Sequence, residues 1–150
     1  MQLTTVPGMR SEIFAPVTPP PVWTPVTKPL NKSMVGFATA GGIHLKKQTP
    51  FNAAGDFSIR EIPSNTQTKD MMVTHGGYDN SDVNKDINAM LPIDRLNELA
   101  KAGVIGSVAP TLVGFMGGGG NVEKFRNETG PSIAKIFKDE GVDICVLTAG

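Results

Sequence analysis

The chain has 150 residues, enough for one domain, with 39% hydrophobic and 19% charged residues and a formal net charge of zero at pH 7. That balance excludes a disordered chain and leaves no basic footprint for nucleic acid. No apolar run approaches the roughly 20 residues that span a bilayer, no secretory signal opens the chain, and the single cysteine, Cys145, excludes an internal disulfide framework and fits a reducing cytoplasm.

Residues 1–33 are proline-rich. Pro16, Pro19, Pro20, Pro21, Pro25 and Pro29 are interleaved with Val17, Val22, Trp23 and Val26. Such a run favours an extended polyproline II arm, which belongs in neither a helix interior nor a central strand. Its apolar residues predict packing on the domain or on a partner. Residues 34–150 are expected to be the amino-terminal part of an α/β domain. Met34 to Ala40 is apolar throughout and predicts a first strand, buried on both faces. Gly41-Gly42 and Ile43-His44-Leu45 follow, and His44 alone says little. A short extended piece is expected at Phe57 to Ile62, and a second strand at Met71 to Thr74.

Pro92 to Ala102 is the clearest helix. Pro92 suits the first helical position, Ile93, Leu96, Leu99 and Ala100 share one face, and Gly103 supplies a left-handed stop. Strands are expected at Val104 to Ala109 and Thr111 to Met116, followed by four glycines. Asn121 is placed to cap a helix carrying Val122 and Phe125. Pro131 opens or kinks the last helix, with Ile133, Ala134, Ile136 and Phe137 facing inward, and Gly141 ends it. Val142 to Thr148 reads as a buried strand, with Cys145 as a small core residue. The helix–strand alternation from Pro92 onward predicts a mostly parallel sheet with flanking helices.

Two stretches are placed for chemistry. His75, Tyr78 and Asp79 bring a base, a hydroxyl and a carboxylate within five residues of a strand's carboxyl end, where open α/β sheets gather their ligands. Gly117, Gly118, Gly119 and Gly120 precede a helix. They suit either close backbone packing or converging N–H groups for a substrate carboxylate. No Lys-Ser or Lys-Thr follows them, so this is not a phosphate-binding P-loop. Asp82, Asn84 and Asp86 resemble the opening of a calcium loop, but Ile87 stands where its glycine belongs and Ile93 where its terminal glutamate belongs. No zinc spacing and no Ser/His/Asp or Cys/His pairing occurs.

Several longer stretches carry a resemblance: S-E-I-F-A-P-V-T-P-P-P-V-W-T-P-V (Ser11 to Val26), A-G-D-F-S-I-R-E-I-P (Ala54 to Pro63), H-G-G-Y-D-N-S-D-V-N-K-D-I-N (His75 to Asn88), L-P-I-D-R-L-N-E-L (Leu91 to Leu99) and G-F-M-G-G-G-G (Gly114 to Gly120). Over essentially the whole chain they resemble the selenoprotein B family of glycine, sarcosine, betaine and D-proline reductases. The compact amino terminus fits the members acting on D-proline, with component B of a sarcosine, betaine or glycine reductase as the alternative. The resemblance implies reductive cleavage of the C–N ring bond of D-proline to 5-aminovalerate by a selenol/thiol pair. It implies as partners a separate subunit bearing a pyruvoyl group, which activates the amine, and an electron-donor redox protein, in a hetero-oligomer.

In that family a strand ending like V-L-T-A-G (Val146 to Gly150) is followed directly by selenocysteine, two residues and cysteine. The expectation is therefore that selenocysteine follows Gly150, that these residues are the amino-terminal part of a longer subunit, and that alone they do not turn over. A non-catalytic partner of the pyruvoyl subunit is the competing expectation. No catalytic residue and no metal ligand is assigned within the chain. His75, Tyr78, Asp79 and Gly117 to Gly120 are substrate-site candidates by position, not by the resemblance.

Overall fold

The structure, a computed structural model, describes residues 24–117 and 121–149. It is α/β, with a mostly parallel mixed sheet and few helices. The strands are β1 (Met34–Thr39), β2 (Ile43–Leu45), β3 (Ile59–Pro63), β4 (Met71–Val73), β5 (Ser107–Val108), β6 (Thr111–Phe115) and β7 (Ile144–Thr148); the helices are α1 (Ser81–Lys85), α2 (Ile93–Lys101), α3 (Val122–Lys124) and α4 (Gly130–Asp139).

β1 is the axis of the main sheet. One of its edges pairs in parallel with β7 over its length, from Val35↔Ile144 to Thr39↔Thr148. Its other edge meets β5 at Met34–Val35 and β6 at Ala38–Thr39, both in parallel. β5 and β6 form one line interrupted at Pro110, which has no N–H to give a ladder. β3 closes the sheet antiparallel to β6, with Ile59 opposite Phe115 and Pro63 opposite Thr111. β2 and β4 form a separate antiparallel pair.

Alternation along β1 divides the core. Val35 and Phe37 join Leu112, Ile62, Leu91 and the α2 residues Ile93 and Leu96 on one face. Ala38 joins Val113, Phe115 and the α4 residues Ile133 and Phe137 on the other. Burial of each such side chain stabilises by about 1.5–3 kcal/mol against exposure. Gly114 lets the β2 hairpin rest on the sheet, because a Cβ there would overlap the carbonyl oxygen of Ile43.

Several expectations need correction. Leu99 is exposed, so α2 buries Ile93 and Leu96 and packs Ala100 beside them. Pro92 stands just before the helix as its N-cap rather than at its first position, while Gly103 makes the left-handed stop at φ +71°. Val104 to Gly106 is a turn, and Ala134 on α4 faces outward. The last strand is not buried. Cys145, Val146 and Leu147 are exposed, Leu147 by 67%, because among the described residues nothing pairs with the outer edge of β7.

Of the proline-rich stretch, Pro16, Pro19, Pro20, Pro21, Val17, Val22 and Trp23 lie outside the described residues. Thr24 to Lys32 is exposed, and it is fastened at its end. Lys28 Nζ meets Asp143 Oδ1 at 2.7 Å, and the Gly106 amide donates to the Leu30 carbonyl at 3.1 Å.

Candidate functional site

The turn between β1 and β2 collects the carboxyl ends of four strands. Thr39, fully buried at the end of β1, accepts the Gly41 amide on its hydroxyl at 3.1 Å. The Ala40 amide donates to the Thr148 carbonyl at the end of β7, at 3.0 Å. The Gly42 amide donates to Phe115 at the end of β6, and the Gly42 carbonyl accepts from Thr74 just beyond β4. Gly42 has φ +70°, and a Cβ there would overlap the Thr74 carbonyl oxygen, so glycine is required. This is the location at which parallel sheets place ligands.

Three of the predicted residues reach this turn. Tyr78 donates its hydroxyl to the Gly41 carbonyl at 2.9 Å. The His75 ring lies beside that of Tyr78, with centroids 4.8 Å apart and planes at 49°. Gly117 rests against Ala40, whose Cβ lies 3.2 Å from where a Gly117 side chain would begin. Gly118, Gly119 and Gly120 lie outside the described residues. Asp79 is turned to another task. It is exposed, and its Oδ1 accepts the Ser81 amide at 3.0 Å to open α1. The Ser81 amide, then the Ser81 hydroxyl, hold this carboxyl below its ordinary range.

The chemistry of His75 follows from its partners. Nδ1 accepts the Gly77 amide at 2.9 Å, which leaves the proton of the neutral ring on Nε2. Burial lowers its pKa from 6.5 and raises that of Tyr78 from 10.0, so both are neutral at pH 7. As arranged, His75 presents an N–H donor to an acceptor such as a carboxylate or carbonyl. Its lone pair is occupied by Gly77.

Two residues not singled out from the sequence complete the turn. His44 is fully buried, with Nδ1 at 2.8 Å from the Leu45 carbonyl and Nε2 at 2.9 Å from the Thr74 hydroxyl. A carbonyl can only accept, so Nδ1 carries a hydrogen, and in the neutral ring Thr74 donates to Nε2. Thr148 Oγ1 is buried and has no hydrogen-bond partner among the described residues. A donor left so at a strand's carboxyl end is available to a group bound there. Thr39, Thr74 and Thr148 share a visible signal: each is the first polar residue to close an apolar run. Asp82 pairs with Lys85, and Asp86 caps the turn at Ile87. Among the described residues no three His, Cys, Asp or Glu gather as a metal cage.

Residues 13–150 match the family described as glycine/sarcosine/betaine reductase selenoprotein B. Over 148 residues, 99% of the chain, the sequence is 60% identical to D-proline reductase subunit gamma of Acetoanaerobium sticklandii. It is 31% identical to sarcosine reductase complex component B subunit beta of Peptoclostridium acidaminophilum and 31% identical to glycine reductase complex component B subunit gamma of Carboxydothermus hydrogenoformans, over 94% of the chain in each case. The chain spans 61% of the length of the first relative and 34% of each of the other two. No solved structure matches it.

Proposed function

The chain belongs to the glycine/sarcosine/betaine reductase selenoprotein B family, and from that premise we propose that it is the amino-terminal portion of a D-proline reductase subunit. The observation that carries this reading is the 60% identity to the D-proline reductase subunit, against 31% to either component B chain. The reaction is reductive opening of the D-proline ring to 5-aminovalerate in a reducing, cytoplasmic setting. A selenol/thiol pair from the same subunit breaks the C–N bond, with a pyruvoyl subunit and an electron-donor protein as partners.

The residues present suit such a site. The buried Thr148 hydroxyl, without a partner among the described residues, stands at the carboxyl end of β7, beside the strand ends that meet at Ala40 to Gly42. When bound in the complex, the pyruvoyl group supplies an electron sink for the substrate amine. What this chain contributes is orientation. His75 offers Nε2–H, Tyr78 fixes the Gly41 carbonyl, and Gly117 leaves the backbone beside Ala40 open. A carboxylate held by such donors is kept in one pose, which is how positioning lowers a barrier.

Two experiments test the reading. Purified complex is assayed with D-proline, sarcosine, betaine and glycine. Preferred turnover of D-proline supports it, and preferred turnover of sarcosine or glycine overturns it in favour of component B. The coding DNA is also read past Gly150. A TGA codon followed in frame by two codons and a cysteine codon supports the selenol/thiol pair, and any other continuation overturns it.

A further inference from the structure

β3 runs against the other strands, so the loop that precedes it returns to the carboxyl end of the sheet. Ile59 opposite Phe115 fixes that placement. The helical segment after β6 comes to the same end, where Phe125 packs on Phe115 with centroids 5.5 Å apart. Between residues 52–58 and this segment lies an open cleft of about 510 Å³, within the size range of small-molecule sites. The other side of the same loop touches the candidate site, since a Gly76 side chain would meet the Ala53 carbonyl at 3.3 Å.

The walls of the cleft are locked. Asp56 accepts the Asn52 amide at 3.1 Å, the Ser58 amide at 2.8 Å and the Ser58 hydroxyl, with Arg60 at 3.7 Å behind it. Arg60 is itself committed to Thr49, Ser58 and Ile59 and stacks over Phe51 at 4.3 Å. The opposite wall is a π-helical turn, Phe125–Thr129, a rare geometry that recurs at functional sites. Its Thr129, 1% exposed, donates its hydroxyl to the Phe57 carbonyl at 2.6 Å and pins the turn to the loop.

The charges left over are Lys124 and Glu128. Their ion pair is long, at 4.0 Å, and both side chains reach solvent, so each keeps its capacity for a ligand. Lys124 Nζ also stands 5.1 Å from the centre of the Phe57 ring. A cation, an anion and an aromatic face within one small cleft match a compact zwitterion with an aliphatic body. We propose that this cleft captures the amino-acid substrate as a zwitterion before it passes to the strand-end turn, Lys124 taking the carboxylate, Glu128 the amine and Phe57 the aliphatic portion. The proposal rests on the reductase reading for the class of substrate.

The test uses the full complex, with Lys124→Met, Lys124→Arg, and Lys135→Met as a control on the exposed α4 pair with Asp139. Lys124→Met is expected to raise KM for D-proline by about tenfold, the scale of one charge-assisted bond, with kcat little changed. Lys124→Arg should restore most of it, and Lys135→Met should change nothing. Binding of D-prolinamide, which lacks the carboxylate, should be the same in wild type and Lys124→Met. An unchanged KM in Lys124→Met overturns the proposal. If the wild-type complex prefers sarcosine or glycine and Lys124→Met raises KM for that substrate, the cleft stands and the D-proline reading falls. A wild-type complex whose equilibrium titration shows no binding of any of these amino acids overturns both.

Discussion

The hydroxyl of Tyr78 donates to the carbonyl of Gly41 at 2.9 Å, across 37 positions of sequence. It fastens the loop after β4 to the turn where β1, β6 and β7 end. Tyr78→Phe keeps the ring against His75 and removes the bond. Loss of about 1 kcal/mol of unfolding free energy is expected, read as a lower urea midpoint. An unchanged midpoint would show that the bond does not hold the loop.

His75 makes stability depend on pH. Its folded pKa lies below 6.5, so the unfolded chain takes the proton first. Stability is full above 6.5 and declines as pH falls through that value and on through the folded pKa. Protonation also turns Nδ1 from acceptor to donor against the Gly77 amide. Urea melts between about pH 5 and 8 should show this decline, and His75→Gln should flatten it. Equal slopes in the two proteins would assign the pH dependence elsewhere.

Gly114 is the point of closest approach between the sheet and the β2 hairpin. Gly114→Ala would drive a methyl group into the Ile43 carbonyl, a backbone atom with no rotamer by which to move aside. A cost of about 3 kcal/mol is expected, at the upper end for overpacking. A melting temperature equal to that of wild type would contradict this packing.

The carboxylate of Asp56 organises residues 52–58. Burial raises its pKa, yet the bonds from Ser58 and Asn52, with Arg60 nearby, outweigh this and hold it below 3.8. Its contribution is therefore present above that value and lost as pH falls through the folded pKa. Asp56→Asn should cost about 1.5–3 kcal/mol, as for bonds to a charged acceptor. Hydrogen exchange at the Asn52 and Ser58 amides should quicken, and unchanged exchange would count against this role.

Periodicity and apolar runs made much of the architecture legible. The buried stripes of α2 and α4, the Gly103 stop and the apolar core strands β1 and β6 all follow from local pattern. The antiparallel course of β3 did not, because alternation along a strand carries no direction. Nor did the exposure of β7: I-C-V-L-T reads as apolar whatever covers it, and burial is decided by neighbours. The candidate site was half legible. His75 and Tyr78 were marked by following a strand, whereas the turn of Asp79 toward Ser81 depends on where α1 begins. Lys124 and Glu128 gain their setting from a π-turn and an antiparallel loop, neither written in a short motif. The threonines that close the apolar strands were a readable signal of the strand ends.

Among the described residues the outer edge of β7 is unpaired, and that bears on how these 150 residues by themselves behave in a test tube. An unpaired strand edge is a template for another strand, and β7 adds Val146 and Leu147 in solvent, with no charge and no proline among its residues to discourage pairing. Two copies of these 150 residues meeting along that edge would extend each other's ladders, and further copies could add to any edge left open. Colloidal stability would then be set by five residues of a single strand, however well the two faces of the core are packed.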